Sequence, residues 1–212
     1  MEKVRIWCGG EDALPTVYMH SVAGDGHCVW EACRRIGCPD FNLVSIYDFD
    51  FDGDLTPWPA QGVRKRQPPF KGNAKSHLAE MLDRIMPEAE VLLPAKPLYN
   101  ALAGYSLAGL FALWSVWQTD RFTRLACGSA SFWYPGFLEY AVSHPMVRQP
   151  DFVSLSLGDN ESDTRHPVMS QVGECTDKVL ELLTERNIPY CFEINPGNHF
   201  TEPDLRLAKA IS

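Results

Sequence analysis

Residues 99–114 read YNALAGYSLAGLFALW, and this stretch decides how the rest of the chain is read. It has the make-up of a strand, a tight turn and a helix, with one serine at the turn. The turn is Gly104-Tyr105-Ser106-Leu107-Ala108-Gly109. A nucleophile elbow needs small residues on either side of its serine, because strand and helix backbones approach closely at a strained bend. Gly104 stands two before Ser106. Ala108 stands two after, where the usual pattern has glycine, and Gly109 follows. The motif is thus G-x-S-x-A-G. Helix formers Leu107, Leu110, Phe111, Ala112 and Leu113 begin at once, which aims a helix N-terminus at the place where an oxyanion would form.

Outward from the elbow, the chain alternates short β-like runs with helical patterns. That order predicts a mostly parallel sheet with helices on both faces. Thr16–His20 reads as a strand, and His27–Ile36 as a short helix closed by Gly37 and Pro39. Residues 41–47 read as the next strand. Residues 48–71 form a long loop rich in Asp, Pro and Gly, of a length that suggests a functional loop or lid. Residues 73–85 have helical spacing, with Leu78, Met81, Leu82 and Ile85 on one face, and Pro87 is expected to interrupt them. Beyond the elbow helix, strands are expected at 124–129, 152–157 and 188–194, and helices at about 167–186 and 202–211.

The chain of 212 residues is long enough for a substantial core, and without repeat or linker it reads as one domain over 1–212. Its net charge of −8 argues against general nucleic-acid binding, which needs a basic footprint. The N-terminal segment is mixed and polar, and no run approaches the length of a membrane span, so a soluble, cytoplasmic protein is expected. The seven cysteines include no C-x-x-C pair. An odd count in apolar or helical settings fits a reducing compartment better than a disulfide framework or a structural zinc site.

In a hydrolase of this topology the order is serine, carboxylate, histidine. After FVSLSL comes Gly158-Asp159-Asn160-Glu161-Ser162-Asp163. Glu161, three beyond the glycine, is the favoured acid, with Asp159 next and Asp163 third. After YCFEI comes Asn195-Pro196-Gly197-Asn198-His199-Phe200, which holds His199 on a turn after the last strand. The other histidines sit upstream of the elbow or before prolines in loops; of these His166 is near enough to the acid loop to need a control. In this scheme His199 takes the proton of Ser106 and Glu161 orients the ring. The oxyanion needs two donors. One is the backbone N–H of Leu107. The other falls in the turn after the early strand, at Val22 or Ala23, where many esterases carry His-Gly-rich sequence.

GYSLAGLFALW, with Asp54-Leu55-Thr56-Pro57-Trp58-Pro59-Ala60 upstream and PGNHF downstream, resembles bacterial esterases of the α/β-hydrolase superfamily. These are similar to the esterase D and enterobactin-type siderophore esterase group. The likeness runs from about residue 16 to 211. It implies the α/β-hydrolase fold with minimal or no cap domain, and it carries Ser106 and His199. It carries Glu161 less directly, since some relatives work with a weakly placed acid or a Ser-His dyad.

Trp58, Tyr105, Trp133 and Tyr134 are candidates for an apolar, substrate-binding wall; the alternative for the loop aromatics is packing under the loop. The run Asp48-Phe49-Asp50-Phe51-Asp52-Gly53-Asp54 imitates the start of a calcium loop. Its twelfth position is Pro59, where a bidentate Glu is needed, so no metal is expected. Arg64-Lys65-Arg66 offsets much of the local acidity. The sequence therefore predicts a serine esterase acting on a small or medium carboxylic ester through an acyl-enzyme, with no cofactor. Acyl transfer by the same triad, or a non-catalytic protein on the same fold, are the alternatives. A homodimer is compatible with the apolar edge strands without being required by them.

Overall fold

The computed structural model describes residues 3–63 and 66–212, so Arg64 and Lys65 lie outside the described residues. Seven strands form one sheet: β1 (Val4–Trp7), β2 (Thr16–His20), β3 (Asn42–Ile46), β4 (Asn100–Tyr105), β5 (Arg124–Gly128), β6 (Phe152–Gly158) and β7 (Tyr190–Asn195). Their order across the sheet is β1-β3-β2-β4-β5-β6-β7. Only β1 runs antiparallel to its neighbour; β2 to β7 are all parallel.

The alternation of side chains divides the core in two. On one face Val17, Met19, Ala101, Ala103, Tyr105 and Ala126 pack with residues of α1 (His27–Ile36) and of the last helix, Pro203–Ile211. On the other, Tyr18, Val44, Leu102, Leu125, Cys127, Val153 and Leu155 meet a larger helical layer. The elbow helix, Leu107–Ser115, belongs to that layer and is buried along its whole length. A helix apolar all round can be stable only in such a place.

In chain order the remaining helices are α2 (Phe51–Asp54), α3 (Ala74–Glu80), α4 (Met86–Leu92), then the elbow helix as α5, α6 (Phe137–Ser143), α7 (Val172–Glu185) and the last helix as α8. Strands β1 and helix α6 lie in segments from which the sequence signalled no element. In β1 only Val4 is buried, so its period-two pattern is faint.

Pro87 does not interrupt its helix. A π-helical turn, Met81–Ile85, joins α3 to α4 without a break, and Met86 N–H bonds the carbonyl of Met81. Pro87 stands in the first turn of α4, where an absent N–H costs little.

The described parts of the 48–71 loop are fastened at several points. Asp50 caps α2 by accepting the Gly53 N–H at 3.2 Å, and it pairs with Lys71. Thr56 Oγ1 accepts the Gly72 N–H at 3.1 Å, and Ala60 bridges Phe70 in antiparallel fashion. Gly72 has φ 74°, and a Cβ there would lie 2.2 Å from the Trp58 backbone. Asp54 Oδ2 accepts the Asp50 N–H at 2.9 Å, so two of the calcium-like aspartates hold the loop's own turns.

Candidate active site

Parallel register places the carboxyl ends of the central strands along one edge of the sheet. Met19 pairs with Ala103, Tyr105 with Gly128, and Gly158 with Asn195. The segments that follow, at Ser21, Ser106, Ser129, Asp159 and Pro196, thus emerge side by side. Open parallel sheets carry their ligand sites at this edge.

Ser106 sits at φ 61°, ψ −121°, between β4 and α5. A non-glycine residue in this region costs about 1–3 kcal/mol and persists only where its surroundings enforce it. Here they do. Ser106 N–H bonds the Gly128 carbonyl at 2.9 Å, and its own carbonyl accepts from Ser131 N–H at 3.0 Å and Leu110 N–H at 3.1 Å. Packing explains the flanking residues. A Cβ on Gly109 would lie 2.8 Å from the Ala130 methyl, so the substituted position at 108 is tolerated while 109 stays glycine.

The hydroxyl of Ser106 reaches His199 Nε2 at 3.1 Å, and His199 Nδ1 reaches Glu161 Oε2 at 2.8 Å. The second carboxylate oxygen of Glu161 accepts from Ser129 Oγ at 2.6 Å, Gly158 N–H at 2.7 Å and Arg206 Nη1 at 3.1 Å. Burial pushes the Glu161 carboxyl up; the bonds from His199, Ser129 and the Gly158 amide outweigh it and hold the group below the ordinary glutamate range. Glu161 is therefore an anion at neutral pH, facing the ring nitrogen that must carry the proton.

The rival acids lie elsewhere. Asp159 is exposed and accepts the Gly197 N–H at 2.8 Å, which fixes the turn carrying His199. Asp163 is exposed in the same loop. Among the histidines, His166 donates from Nε2 to the Val63 carbonyl at 2.7 Å, tying the acid loop to the long loop. His20 and His77 form a buried pair, Nε2 to Nε2 at 2.8 Å, lined by Phe49 and Phe111.

Leu107 opens α5 beside the serine, and Val22 and Ala23 lie in the exposed turn after β2, one strand over. Two of the aromatic residues expected on a substrate wall are buried. Tyr105 donates to the His199 carbonyl at 2.9 Å. Tyr134 is 2% exposed, and its hydroxyl donates to the Trp58 carbonyl. Each spends its polar end on a neighbouring backbone. Trp58 and Trp133 remain partly exposed, and Trp58 Nε1 donates to the Pro135 carbonyl at 2.8 Å.

Four residues at the site were not singled out by sequence reading. Ser131 Oγ lies 3.3 Å from Ser106 Oγ, and Ser129 binds Glu161. Phe200 is 74% exposed, edge-on to the His199 ring at 5.2 Å. Arg206 reaches the acid from α8. The serines follow β5 in GSASF, a position that register would have flagged; Arg206 left no local signal.

No protein-family model matches the chain. "Uncharacterized protein YbbA" of Bacillus subtilis is 22% identical over 165 residues, which cover 75% of this chain and 66% of that protein, just under two thirds of its length. An IroE-like serine hydrolase from Shewanella oneidensis superposes with a TM-score of 0.78 at 19% identity, over 98% of this chain and 73% of its own. The siderophore hydrolase EstA from Aspergillus nidulans gives 0.77 at 18% identity, over 99% of this chain and 93% of its own.

Proposed function

The α/β-hydrolase fold is the frame that these likenesses share with the chain, and within that frame we propose that the chain is a serine esterase. The carrying observation is the unbroken relay Ser106–His199–Glu161, with links of 3.1 and 2.8 Å. The relay's chemistry follows from its atoms. His199 Nε2 accepts the Ser106 proton as Oγ attacks the ester carbonyl, forming the new C–O bond. Glu161 holds the Nδ1 proton in place and stabilises the imidazolium. The tetrahedral oxyanion is met by the Leu107 N–H and by Val22 or Ala23 N–H. Its collapse expels the alkoxide, which takes the proton from His199. Water then repeats the sequence on the acyl-enzyme, returning free acid and Ser106.

The substrate we infer is a small or medium carboxylic ester. Trp133, two residues beyond Ser131, is partly exposed, as is Trp58 against Tyr134, and Phe200 offers its ring beside His199. The structural neighbours, an IroE-like serine hydrolase and a siderophore hydrolase, support ester hydrolysis and make siderophore esters a class to test. No step calls for a metal or organic cofactor.

The test is intact-protein mass after a fluorophosphonate probe, with Ser106→Ala beside it, followed by p-nitrophenyl esters of rising chain length and a siderophore ester. One adduct, absent from the variant, supports the reading, and the chain-length profile sizes the acyl pocket. A folded protein that takes no adduct and turns over no ester overturns it.

A further inference from the structure

An arginine and a glutamate, each only 2% exposed in its side chain, face one another behind the relay. Such a pair is costly to bury, and its presence is not explained by stability alone. Arg206, in the first turns of α8, spreads its guanidinium over four strand ends. Nη1 donates to Glu161 Oε1 at 3.1 Å and lies 3.2 Å from the Tyr105 hydroxyl and 3.5 Å from Ser129 Oγ. Nη2 donates to the Pro196 carbonyl at 2.9 Å, in the turn that carries His199. Tyr105, which accepts from Arg206, itself donates to the His199 carbonyl. Gly158 makes room for this fork: a Cβ there would lie 2.9 Å from both terminal nitrogens. One planar cation thus touches the acid, the strand that ends at the serine, and the histidine turn.

We propose that Arg206 is a positioning residue of the relay: it points Glu161 Oε2 at His199, and its charge lowers the proton affinity of the Glu161–His199 pair. This rests on the esterase reading above. The fork geometry matters because a carboxylate can rotate: Arg206 joins Ser129 and the Gly158 N–H on Oε1, leaving Oε2 free for the ring, and of these three donors Arg206 alone also holds the Pro196 carbonyl of the histidine turn. The charge matters because catalysis needs the pair to hold one proton fewer than its acid form. A cation 3.1 Å from the carboxylate opposes a proton on Glu161 and so keeps it an anion toward the ring. Other groups at the pair are Tyr105 from β4 and Asp159 in the acid loop; on α8, Asp204 precedes Arg206 and Lys209 is engaged by Glu193 of β7. Arg206 is the cation bonded to Glu161 besides the ring itself.

Arg206→Gln and Arg206→Lys separate charge from fork. For each, thermal stability, fluorophosphonate labelling, and kcat and KM across pH are measured against the wild type. Arg206→Gln is expected to lower kcat roughly 10- to 100-fold with KM little changed, and to move the acid limb of kcat/KM to higher pH. Arg206→Lys keeps the charge but cannot span Glu161 and Pro196 together; its kcat falls while the acid limb stays in place. A purely structural arginine would lower stability and leave kcat and the limb of the folded fraction unmoved, which overturns the proposal. Should Arg206→Gln fail to fold, Arg206→Lys decides alone, and wild-type kcat in that variant overturns it. An unlabelled, inactive wild type overturns the esterase reading and this proposal with it, whereas a labelled wild type with unmoved variants overturns the proposal only.

Discussion

A methyl group on Gly104 would lie 2.3 Å from the backbone of Ala108 and 2.6 Å from its Cβ. The two residues flank Ser106 across the elbow, and only one of them can carry a side chain. The departure of this chain from the usual G-x-S-x-G pattern therefore falls on the one side where space remains. Gly104→Ala is expected to unfold the elbow and abolish labelling by a serine probe. Ala108→Gly should keep labelling and activity, at a cost of at most about 1 kcal/mol from helix propensity. Thermal melts and intact mass of both variants check this, and a well-folded, active Gly104→Ala would refute it.

The choice of acid is open to direct trial. Glu161→Gln leaves Arg206 facing a neutral amide and removes the anion opposite His199 Nδ1, so kcat is expected to fall by roughly 10²–10⁴-fold. Asp159→Asn removes only the charge that accepts the Gly197 N–H, and Asp163→Asn alters an exposed turn; both should stay within a few-fold of wild type. Steady-state kinetics on one p-nitrophenyl ester rank the three. Equal rates throughout would point to a Ser106–His199 dyad.

Stability should fall on the acid side in two stages. Burial, and then each other's presence, hold His20 well below its ordinary value; burial likewise lowers His77, against the opposing pull of Asp54 and Glu80. Both rings take up protons more readily when unfolded. The stability tied to their neutral forms is present above about pH 6.5 and is lost as pH falls below it. Glu161 adds a second loss, since its folded value lies below the unfolded one: that contribution is present above the unfolded value and disappears as pH drops through the folded one. Melting temperatures from pH 8 to 4 should decline first between 7 and 5. His77→Gln should shrink that first decline, and a flat curve from 7 to 5 would count against the buried pair.

Tyr134→Phe keeps the ring and deletes the bond to the Trp58 carbonyl. A loss of about 1 kcal/mol is expected, with faster proteolytic cutting in the 59–71 segment and kcat close to wild type. A large change in ester chain-length preference would place Tyr134 on the substrate wall.

What the sequence made legible was whatever depends on local backbone chemistry. The elbow was readable because Gly104 must clear Ala108 four residues on, and helix formers follow Ser106 at once; Gly109 answers instead to Ala130, which sequence alone does not bring near. Strands β2 to β6 were readable because both faces are covered and the runs are apolar, whereas β7 is a largely exposed edge strand. Glu161 and His199 could be placed because loops after parallel strands share an edge. The bonds of Tyr105 and Tyr134 were not legible for the opposite reason: a tyrosine in sequence shows an apolar ring, and nothing local tells whether its hydroxyl will find a backbone carbonyl 94 or 76 residues away. Arg206 was invisible on the same ground, as its partner in the acid loop is 45 residues distant.

The π turn at Met81–Ile85 has a bearing on how this chain tolerates changes of length. A wider turn advances each residue less far around the axis, so five residues in it set the following helix back by roughly a quarter turn relative to a regular α-helix. That phase shift lets Met86 and Ala89 return to the side occupied by Leu78, Met81 and Ile85, all of them buried. Removing one residue between 82 and 84 would restore regular winding and leave Met86 and Ala89 on the buried side, but it would drive the Pro87 ring against the preceding turn. The extra residue is what makes the proline harmless inside a continuous helix, so a deletion here is costly although the buried face would stay in phase.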